Sequence, residues 1–341
     1  MTRVHINASR EYEVIVERGI LSRIGDEAKK LISPCKAVIV SGEKVFPIYG
    51  KTLKRSLEDA GFEILSFVHP SGESAKSLEC FGALQSFLCE NHVGRTDALF
   101  ALGGGVTGDL TGFAAATYQR GIAFFQIPTT LLAAVDSSVG GKTAINLPEG
   151  KNQVGAFYQP TAVFCDPDTL STLPPEQYRC GCAEVIKYGV LGDAEFFDFL
   201  EKNGIRENEE KVIAHCVKMK RDIVEKDEFD NGVRKLLNLG HTVGHAVEKL
   251  SGFSISHGDA VAIGMATVMS GNEDESRLVS LLRKYELPTA CPYGADEIAE
   301  ACMADKKIEH GKLQLIVPER IGSCRIVPTE ITELKSWLKN V

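Results

Sequence analysis

The sequence predicts a two-domain α/β protein, with a doubly wound, Rossmann-like domain over residues 1–170 and a mainly α-helical domain over residues 171–341. Strand-like and helix-like segments alternate through the first 170 residues, which is typical of a sheet with helices on both faces. Within this region a glycine-rich turn stands between an apolar strand and a helix. After Pro174 and Pro175 the pattern becomes mostly helical as far as about Arg283, which indicates a second domain.

The predicted elements follow in a regular order. In the first domain we expect a hairpin of VHINA and YEVIVE, helices over 20–31, 46–60 and 77–91, strands over 36–40, 63–67, 98–102 and 122–127, and a helix that ends at Thr117. In the second domain the helix carrying Met265, Val268 and Met269 is almost continuously apolar, so we expect it in the interior. A short hairpin is expected to pair residues 313–317 with 324–327.

Composition favours a cytoplasmic enzyme. Of the 341 residues, 44% are hydrophobic, which is enough for one large or two moderate cores. No apolar run approaches the roughly 18 residues of a membrane span, and the first residues lack the apolar segment of a signal peptide. The ten cysteines are scattered, which is typical of reduced thiols. A net charge of −8 and a single tryptophan argue against a nucleic-acid partner.

The glycine-rich turn suggests dinucleotide binding. Gly103, Gly105 and Gly108 form GxGxxG directly after an apolar strand and before a helix, where backbone amides can hold a pyrophosphate. This signal alone is weak. The end of the next strand carries QIPTT instead of an acidic residue, and the motif begins a hundred residues into the chain. An ordinary Rossmann arrangement is therefore not favoured, whereas a dinucleotide-binding domain stays open.

A second loop, residues 136–152, combines glycines with polar and charged side chains. Its VGGKT segment imitates a phosphate loop, but Asp136 stands where the first glycine is needed, which argues against a nucleotide triphosphatase. Asp136, Lys142, Lys151 and Asn152 together could hold a polyhydroxylated, anionic ligand.

Histidines are concentrated between residues 231 and 260, where three of the eight in the chain lie within seventeen positions. A helix from Gly232 to Leu250 would place five polar residues on one face: Arg234, Asn238, His241, His245 and Glu248. This pattern is also typical of a solvated polar face. The residue types nevertheless favour a metal or anion site, and spacing alone favours His241 and His245 as an i,i+4 ligand pair.

Two further features accompany the histidines. Gly240 and Gly244 within the expected helix would each cost about 1 kcal/mol against alanine, which indicates close approach of a backbone or ligand. In CAEVIKY, Glu184 lies among apolar residues with Lys187 one turn later. The pair can be a buried carboxylate with its partner or an exposed i,i+3 ion pair, and the sequence leaves both open.

Several long motifs resemble one enzyme family. They are GGGVTGDLTGFAAATYQRG (103–121), IPTTLLAAVDSSVGGKTAIN (127–146), GKNQVGAFYQP (150–160), AEVIKYG (183–189) and LNLGHTVGHAVE (237–248). In order and without gaps, they closely resemble 3-dehydroquinate synthase, and the likeness runs from about Glu73 to Pro318. The resemblance implies a dehydroquinate synthase-like fold, with an N-terminal dinucleotide-binding domain and a C-terminal domain for metal and substrate.

The resemblance implies two cofactors. A divalent cation, zinc or cobalt, would be bound by Glu184, His241 and His257, whereas His245 would face the substrate. NAD would contact Glu73, Lys76, Gly103, Gly104, Gly105, Asp109, Thr129, Thr130, Lys142, Lys151 and Thr172. This chain departs from many members of the family at the adenosine ribose, where Gly42 and Lys44 replace an Asp and an Asn.

The activity implied is conversion of 3-deoxy-D-arabino-heptulosonate 7-phosphate to 3-dehydroquinate and phosphate, a step of the shikimate pathway. The implied substrate contacts are Asp136, Lys142, Asn152, Lys187, Lys220, Arg234, Asn238 and His245. Arg120 matches a residue that reaches into the neighbouring subunit's site, so a homodimer is expected. The segment Asp305–Lys306–Lys307 also resembles a substrate-contacting segment, with either lysine facing the ligand.

Three alternatives are weighed against this activity. Other sugar-phosphate cyclases make valiolone or inosose rings from substrates without a carboxylate, but retention of Lys220, Arg234 and Asn238 favours a carboxylated one. Metal-dependent polyol or iron-type alcohol dehydrogenases share the architecture but fit the DSSVGGKT and LNLGHTVGH segments poorly. A non-catalytic scaffold would be expected to lose some of the metal ligands or lysines, and this chain keeps them all.

Overall fold

The computed structural model describes residues 1–303 and 312–338. They fall into two compact units: Met1–Leu173 with Glu209–Phe229, and Pro174–Asn208 with Asp230–Val341. This differs from the predicted division at residue 170, because Glu209–Phe229 belongs to the first unit instead of the second. The helix in that segment packs on the first two strands and on the Ala133–Ser137 turn, which explains its place. Polarity patterns identify a helix but not the unit against which it packs.

The helices and strands are as follows. Up to residue 173 they are β1 (Thr2–Ile6), β2 (Tyr12–Val16), α1 (Ile24–Lys29), β3 (Lys36–Gly42), α2 (Lys51–Asp59), β4 (Glu63–His69), α3 (Leu78–Glu90), β5 (Ala98–Gly103), α4 (Gly105–Thr117), β6 (Ala123–Pro128), β7 (Lys142–Leu147), β8 (Gly150–Phe157) and β9 (Ala162–Cys165). Beyond it they are α5 (Pro175–Gly192), α6 (Ala194–Lys202), α7 (Glu209–Val224), α8 (His241–Leu250), α9 (His257–Met269), α10 (Glu275–Lys284), α11 (Ala295–Met303), β10 (Lys312–Arg320), β11 (Ser323–Glu330) and α12 (Ile331–Leu338).

The first unit contains a doubly wound sheet, as predicted. In the part of the chain that the structure describes, seven strands pair in the order β1-β2-β9-β6-β5-β3-β4, and all neighbours except β1 and β2 are parallel. The strand order reverses at β3, because β4 lies on one side of it and β5 on the other. In such sheets nucleotides bind at the carboxyl ends of the strands beside this switch point. Here those ends are Gly42 and Gly103.

Helices cover both faces of this sheet. Leu53 and Leu57 of α2 belong to a core with Phe125 of β6, whereas Leu84 and Leu110 belong to a second core on the other face. Phe124 lies in the second core, next to Phe125 in sequence but on the opposite face, because successive strand residues point in opposite directions. Burial on both faces explains why these strands are almost continuously apolar in sequence.

The second unit is mainly helical, and its hairpin of β10 and β11 is antiparallel, as predicted. Helix α9 is buried along nearly its whole length, which confirms the expectation for Met265, Val268 and Met269. Among the helices that the structure describes, none is long and apolar enough to cross a membrane.

The predicted continuous helix over 232–250 is wrong. A 3-10 turn, Val233–Asn238, ends before Gly240, which has a φ of 77° in the left-handed region, and α8 starts afresh at His241. A Cβ atom at Gly240 would lie 2.7 Å from the carbonyl oxygen of Val261 in α9, and one at Gly244 would lie 2.9 Å from that of Ala260. The expected close approach is therefore made by the backbone of α9. A helical pattern of polar residues does not reveal this break, because the residues before and after it keep nearly the same spacing as in one continuous helix.

Candidate active site

Three helices of the second unit bring one carboxylate and two imidazoles together. Glu184 lies in the middle of α5 and is fully buried, whereas His241 and His257 are the first residues of α8 and α9. The Nε2 atom of His257 lies 3.2 Å from Oε1 of Glu184, and Nε2 of His241 lies 3.5 Å from the same oxygen. One donor atom from each of the three residues fits within 4.8 Å of the others. These distances suit coordination of a single ion.

Glycines allow the three helices to approach this closely. A Cβ atom at Gly258 would lie 2.8 Å from the carbonyl carbon of Cys180 in α5, well inside van der Waals contact. Gly244 similarly packs against the backbone of Ala260 between α8 and α9. At the start of α9, Oγ of Ser256 accepts a hydrogen bond from the N–H of Asp259 at 3.2 Å, which caps the helix beside His257.

The outer nitrogen of each imidazole is also engaged. The Nδ1 atom of His241 lies 3.0 Å from the carbonyl oxygen of Leu239, and Nδ1 of His257 lies 3.3 Å from Oε2 of Glu248. Each contact suits an Nδ1–H donor, which leaves the Nε2 lone pair directed at the shared centre. Two imidazoles and a carboxylate form the donor set of an open zinc or cobalt site. The residues therefore fit a divalent cation that keeps coordination positions for a ligand.

The electrostatics of the cluster agree with this fit. Burial lowers the pKa of His241 well below 6.5 despite the nearby carboxylate of Glu184, so this imidazole is neutral and able to bind a cation. Partial burial disfavours a charged His257, but hydrogen bonds to Glu184 and Glu248 outweigh it and raise its pKa to about 10. A positive charge is thus favoured between the two carboxylates, where a metal ion would supply it.

Glu184 is the buried carboxylate with a partner, and the alternative of an exposed pair is wrong. The Nζ atom of Lys187 lies 2.5 Å from Oε2 of Glu184, and the two side chains are 1% and 0% exposed. The helical interval of three residues places both groups on one face of α5. Glu184 can thus direct one oxygen to the cation site and the other to the ammonium group.

The predicted i,i+4 pair of ligands does not form a set. Among the described residues, no group of three donors contains both His241 and His245. The two rings lie edge to face with centroids 5.4 Å apart, and His245 groups instead with Glu248 and His257. Arg234, which is 2% exposed, and Asn238 lie on the 3-10 turn that precedes α8.

In the first unit the glycine-rich turn lies where the motif predicted. Gly103 ends β5, Gly104 is the N-cap residue of α4, and Gly105 begins that helix. Thr129 donates its backbone N–H to the carbonyl oxygen of Gly103 at 2.9 Å, and the Thr130 methyl group would be 2.9 Å from a Cβ at Gly104. The turn is therefore tightly packed, and the amides at the start of α4 could accept an anion.

A buried lysine joins three predicted cofactor or substrate residues. The Nζ atom of Lys76, 4% exposed, donates to Asp109 Oδ2 at 2.6 Å and to Asn152 Oδ1 at 2.5 Å, and lies 3.8 Å from Glu73. Burial raises the pKa of Asp109, although the charge of Lys76 opposes this change. Asn146, which the sequence did not single out, donates to Glu73 and accepts from the N–H of Asn152, both at 2.8 Å. This network fixes the tip of the β7–β8 hairpin beside α4.

The remaining predicted residues are distributed over the first unit. Lys220 of α7 donates to the Asp136 carbonyl oxygen at 2.7 Å and forms an ion pair with its carboxylate at 2.8 Å. The Thr172 hydroxyl contacts that of Tyr49 at 2.5 Å. The others are Lys142 at the start of β7, Lys151 in β8, Arg120 with φ 67°, Gly42 at the end of β3 and the exposed Lys44. The segment Asp305–Lys307 lies outside the described residues.

The fold defines a class of enzymes in which an α/β unit with a doubly wound sheet is combined with a mainly helical unit. Solved structures of this class are similar over the whole chain. 2-Deoxy-scyllo-inosose synthase, complexed with carbaglucose-6-phosphate, NAD⁺ and Co²⁺, has a TM-score of 0.88 and 26% identity, with 99% of this chain and 100% of that chain covered. 2-Epi-5-epi-valiolone synthase from Streptomyces hygroscopicus, with NAD⁺ and Zn²⁺ bound, has a TM-score of 0.88 and 26% identity, with 99% of each chain covered.

More specific comparisons identify the family. The family described as 3-dehydroquinate synthase N-terminal matches residues 66–180, and its C-terminal counterpart matches residues 181–308. The 3-dehydroquinate synthases of Microcystis aeruginosa and Enterococcus faecalis are each 42% identical to this chain. The match with the first spans 96% of this chain and 95% of the relative, and the match with the second spans 97% of this chain and 96% of the relative. The chain belongs to the 3-dehydroquinate synthase family. Glycerol dehydrogenase from Schizosaccharomyces pombe, 16% identical with a TM-score of 0.66 over 99% of this chain and 90% of that one, shares the fold alone.

Proposed function

We propose that this enzyme converts 3-deoxy-D-arabino-heptulosonate 7-phosphate to 3-dehydroquinate and inorganic phosphate, with NAD regenerated in every turnover. The observation that carries the proposal is the group formed by buried Glu184 and His241 with half-buried His257, in which Lys187 is ion-paired to the carboxylate. We infer that the group binds zinc or cobalt. The related inosose and valiolone synthases, whose structures contain NAD⁺ with Co²⁺ or Zn²⁺, support both cofactors.

The two units supply different cofactor sites. NAD would bind at the switch point of the sheet, with its pyrophosphate at the N-terminus of α4, near Gly103, Gly104 and Gly105. Lys76 holds Asp109 and Asn152 in place beside this helix. The chemistry that the bound metal and NAD supply is polarisation of the substrate hydroxyls at C4 and C5 and reversible hydride transfer at C5.

The polar side chains of the chain bind and orient an anionic substrate. The planar guanidinium of Arg234 can bind the substrate carboxylate through two parallel hydrogen bonds, a geometry that a lysine cannot provide. Lys142 and Lys220 provide cations for the anionic groups, and Asp136 can accept a hydrogen bond from a hydroxyl. His245 lies beside the cation site and can hold or transfer a proton at its ring nitrogen.

We infer the tasks of these groups from the chemistry of the reaction. Loss of phosphate requires removal of the C6 proton, and the phosphate oxygens can accept that proton while cationic side chains hold the leaving group. Ring closure by an intramolecular aldol reaction then depends mainly on holding the enolate close to the carbonyl carbon. We further propose a homodimer in which Arg120 contributes to the neighbouring subunit's site.

Phosphate release and NADH absorbance, measured together, test the function. Purified protein with NAD, Zn²⁺ and the heptulosonate phosphate should release phosphate without accumulating NADH, and a chelator should stop the release. Absence of phosphate release from this substrate, with release from a heptulose or glucose phosphate, would favour the inosose or valiolone class. Net formation of NADH with a polyol would favour a dehydrogenase and refute the proposal.

A further inference from the structure

The imidazole of His257 lies between two groups of metal donors. Its Nε2 atom faces Glu184 and His241, whereas its Nδ1 atom lies 3.3 Å from Oε2 of Glu248. His245, Glu248 and His257 form a second group whose donor atoms lie within 4.8 Å of one another. The structure therefore offers a divalent ion two sites that share one residue.

A neutral imidazole can serve only one of these sites. One of its ring nitrogens has a free lone pair and the other carries a proton. The acceptor that binds this proton determines which nitrogen is left to coordinate a metal. If Nδ1 carries the proton, Nε2 coordinates beside Glu184 and His241. If Nε2 carries the proton, Nδ1 coordinates beside Glu248 and His245. The tautomer of His257 thus selects the metal site.

Glu248 is placed to make that selection. It lies two turns after His241 on the same face of α8, and it is 5% exposed, so its carboxylate is held near Nδ1 by the packed helix. A carboxylate can only accept a hydrogen bond and therefore favours the tautomer with a proton on Nδ1. An acceptor of this kind also makes the coordinating nitrogen more basic.

We propose that Glu248 is a positioning residue: it holds His257 in the tautomer whose Nε2 coordinates, and so directs the ion to Glu184, His241 and His257 and away from the second group. This inference rests on the proposed metal site. In this proposal Glu248 contacts a metal ligand but not the metal, and His245 does not coordinate the metal.

Metal binding to the full-length protein tests the proposal independently of turnover. Competition with a chromophoric chelator would give Zn²⁺ affinities for the wild type, Glu248→Ala, Glu248→Gln and His245→Ala. We expect Glu248→Ala to weaken binding about 10-fold to 100-fold, as loss of such hydrogen-bond partners typically does. Glu248→Gln, whose amide oxygen can still accept from Nδ1, should retain most of the affinity, and His245→Ala should bind as the wild type does.

Controls separate this inference from the metal assignment itself. Glu176→Gln changes an exposed glutamate at the start of α5 and should leave metal affinity unchanged. Wild-type affinity in Glu248→Ala would overturn the positioning role. Equal losses in His245→Ala and Glu248→Ala, with none in Glu184→Ala, would place the ion in the second group and overturn the metal assignment on which the proposed function rests. The Co²⁺ absorption spectrum should be the same for Glu248→Gln and the wild type; a different spectrum would mean that Glu248 coordinates the ion directly.

Discussion

Replacing Gly258 with alanine tests whether the contact between α5 and α9 sets the geometry of the metal site. The new Cβ atom would overlap the Cα atom of Cys180 and would lie 2.6 Å from its carbonyl oxygen and 2.8 Å from its carbonyl carbon. Carbon atoms in contact are about 3.5–4.0 Å apart, so the two helices must separate by at least about 0.7 Å. Metal–ligand distances tolerate about 0.2 Å. His257 immediately precedes Gly258, and it would move away from Glu184 with the start of α9.

We expect two measurable effects of Gly258→Ala. Overpacking should lower the free energy of unfolding of the metal-free protein by about 1–3 kcal/mol, measured by urea denaturation. Zn²⁺ affinity should fall at least about tenfold, equivalent to about 1.4 kcal/mol, in competition with a chelator.

Gly82→Ala is the matched control. Gly82 lies within α3, and a Cβ atom there would have no neighbour within 4 Å. The same change should therefore stabilise the protein by about 0.5–1 kcal/mol and leave metal affinity unchanged. If Gly258→Ala bound Zn²⁺ and unfolded as the wild type does, the reasoning that this contact sets the site would be refuted.

Four further predictions follow from the site. Glu184→Ala or His257→Ala should remove the metal and abolish turnover; a variant that kept both tight binding and activity would contradict the ligand assignment. Arg234→Ala should weaken binding of the carboxylated substrate by about 2–5 kcal/mol and so raise its KM, with little change in the KM for NAD. Equal changes in the two KM values in steady-state kinetics would count against this role. Because the carboxylates raise the pKa of His257 to about 10, a metal ion must displace a proton near neutral pH, so Zn²⁺ affinity should fall by up to about tenfold for each unit that the pH is lowered; a flat profile would exclude this competition. Lys76→Ala should destabilise the protein by about 3–5 kcal/mol in urea denaturation because Asp109 loses its partner. The double variant Lys76→Ala/Asp109→Ala should recover part of this lost stability. If the losses of the two single variants simply add, the two side chains do not stabilise each other.

Local patterns predicted most of the parallel sheet. The apolar runs that give β3, β5 and β6 were recognisable because strands buried on both faces have few polar residues. The place of β9 between β2 and β6 was not predictable in this way, since it depends on pairing between segments far apart in the chain. The sequence pattern does not predict the break at Gly240 for a related reason. The left-handed backbone at Gly240 allows the close contact with α9, and the sequence pattern of one helix carries no information about its contacts with another.

The sequence predicts which residues belong to the site better than it predicts their contacts. The sequence pointed to Glu184, His241 and His257 through the family resemblance, whereas helical spacing alone favoured His245, which the structure groups with other donors. The sequence places Glu248 in a polar stripe, but its contact with His257 arises from the fold of the chain between α8 and α9. Asn146 gave no signal, because an asparagine at a hairpin tip is ordinarily a turn residue.

The return of Glu209–Phe229 to the first unit bears on synthesis by the ribosome. Residues 174–208 emerge before the first unit has received its last helix, so that unit cannot complete its packing until the chain has grown past residue 229. Neither unit is a continuous stretch that a single cut could release. We therefore expect nascent chains that end near residue 173 to lack α7 and the ion pair between Lys220 and Asp136, and to depend on later synthesis or on chaperones to protect the exposed surface.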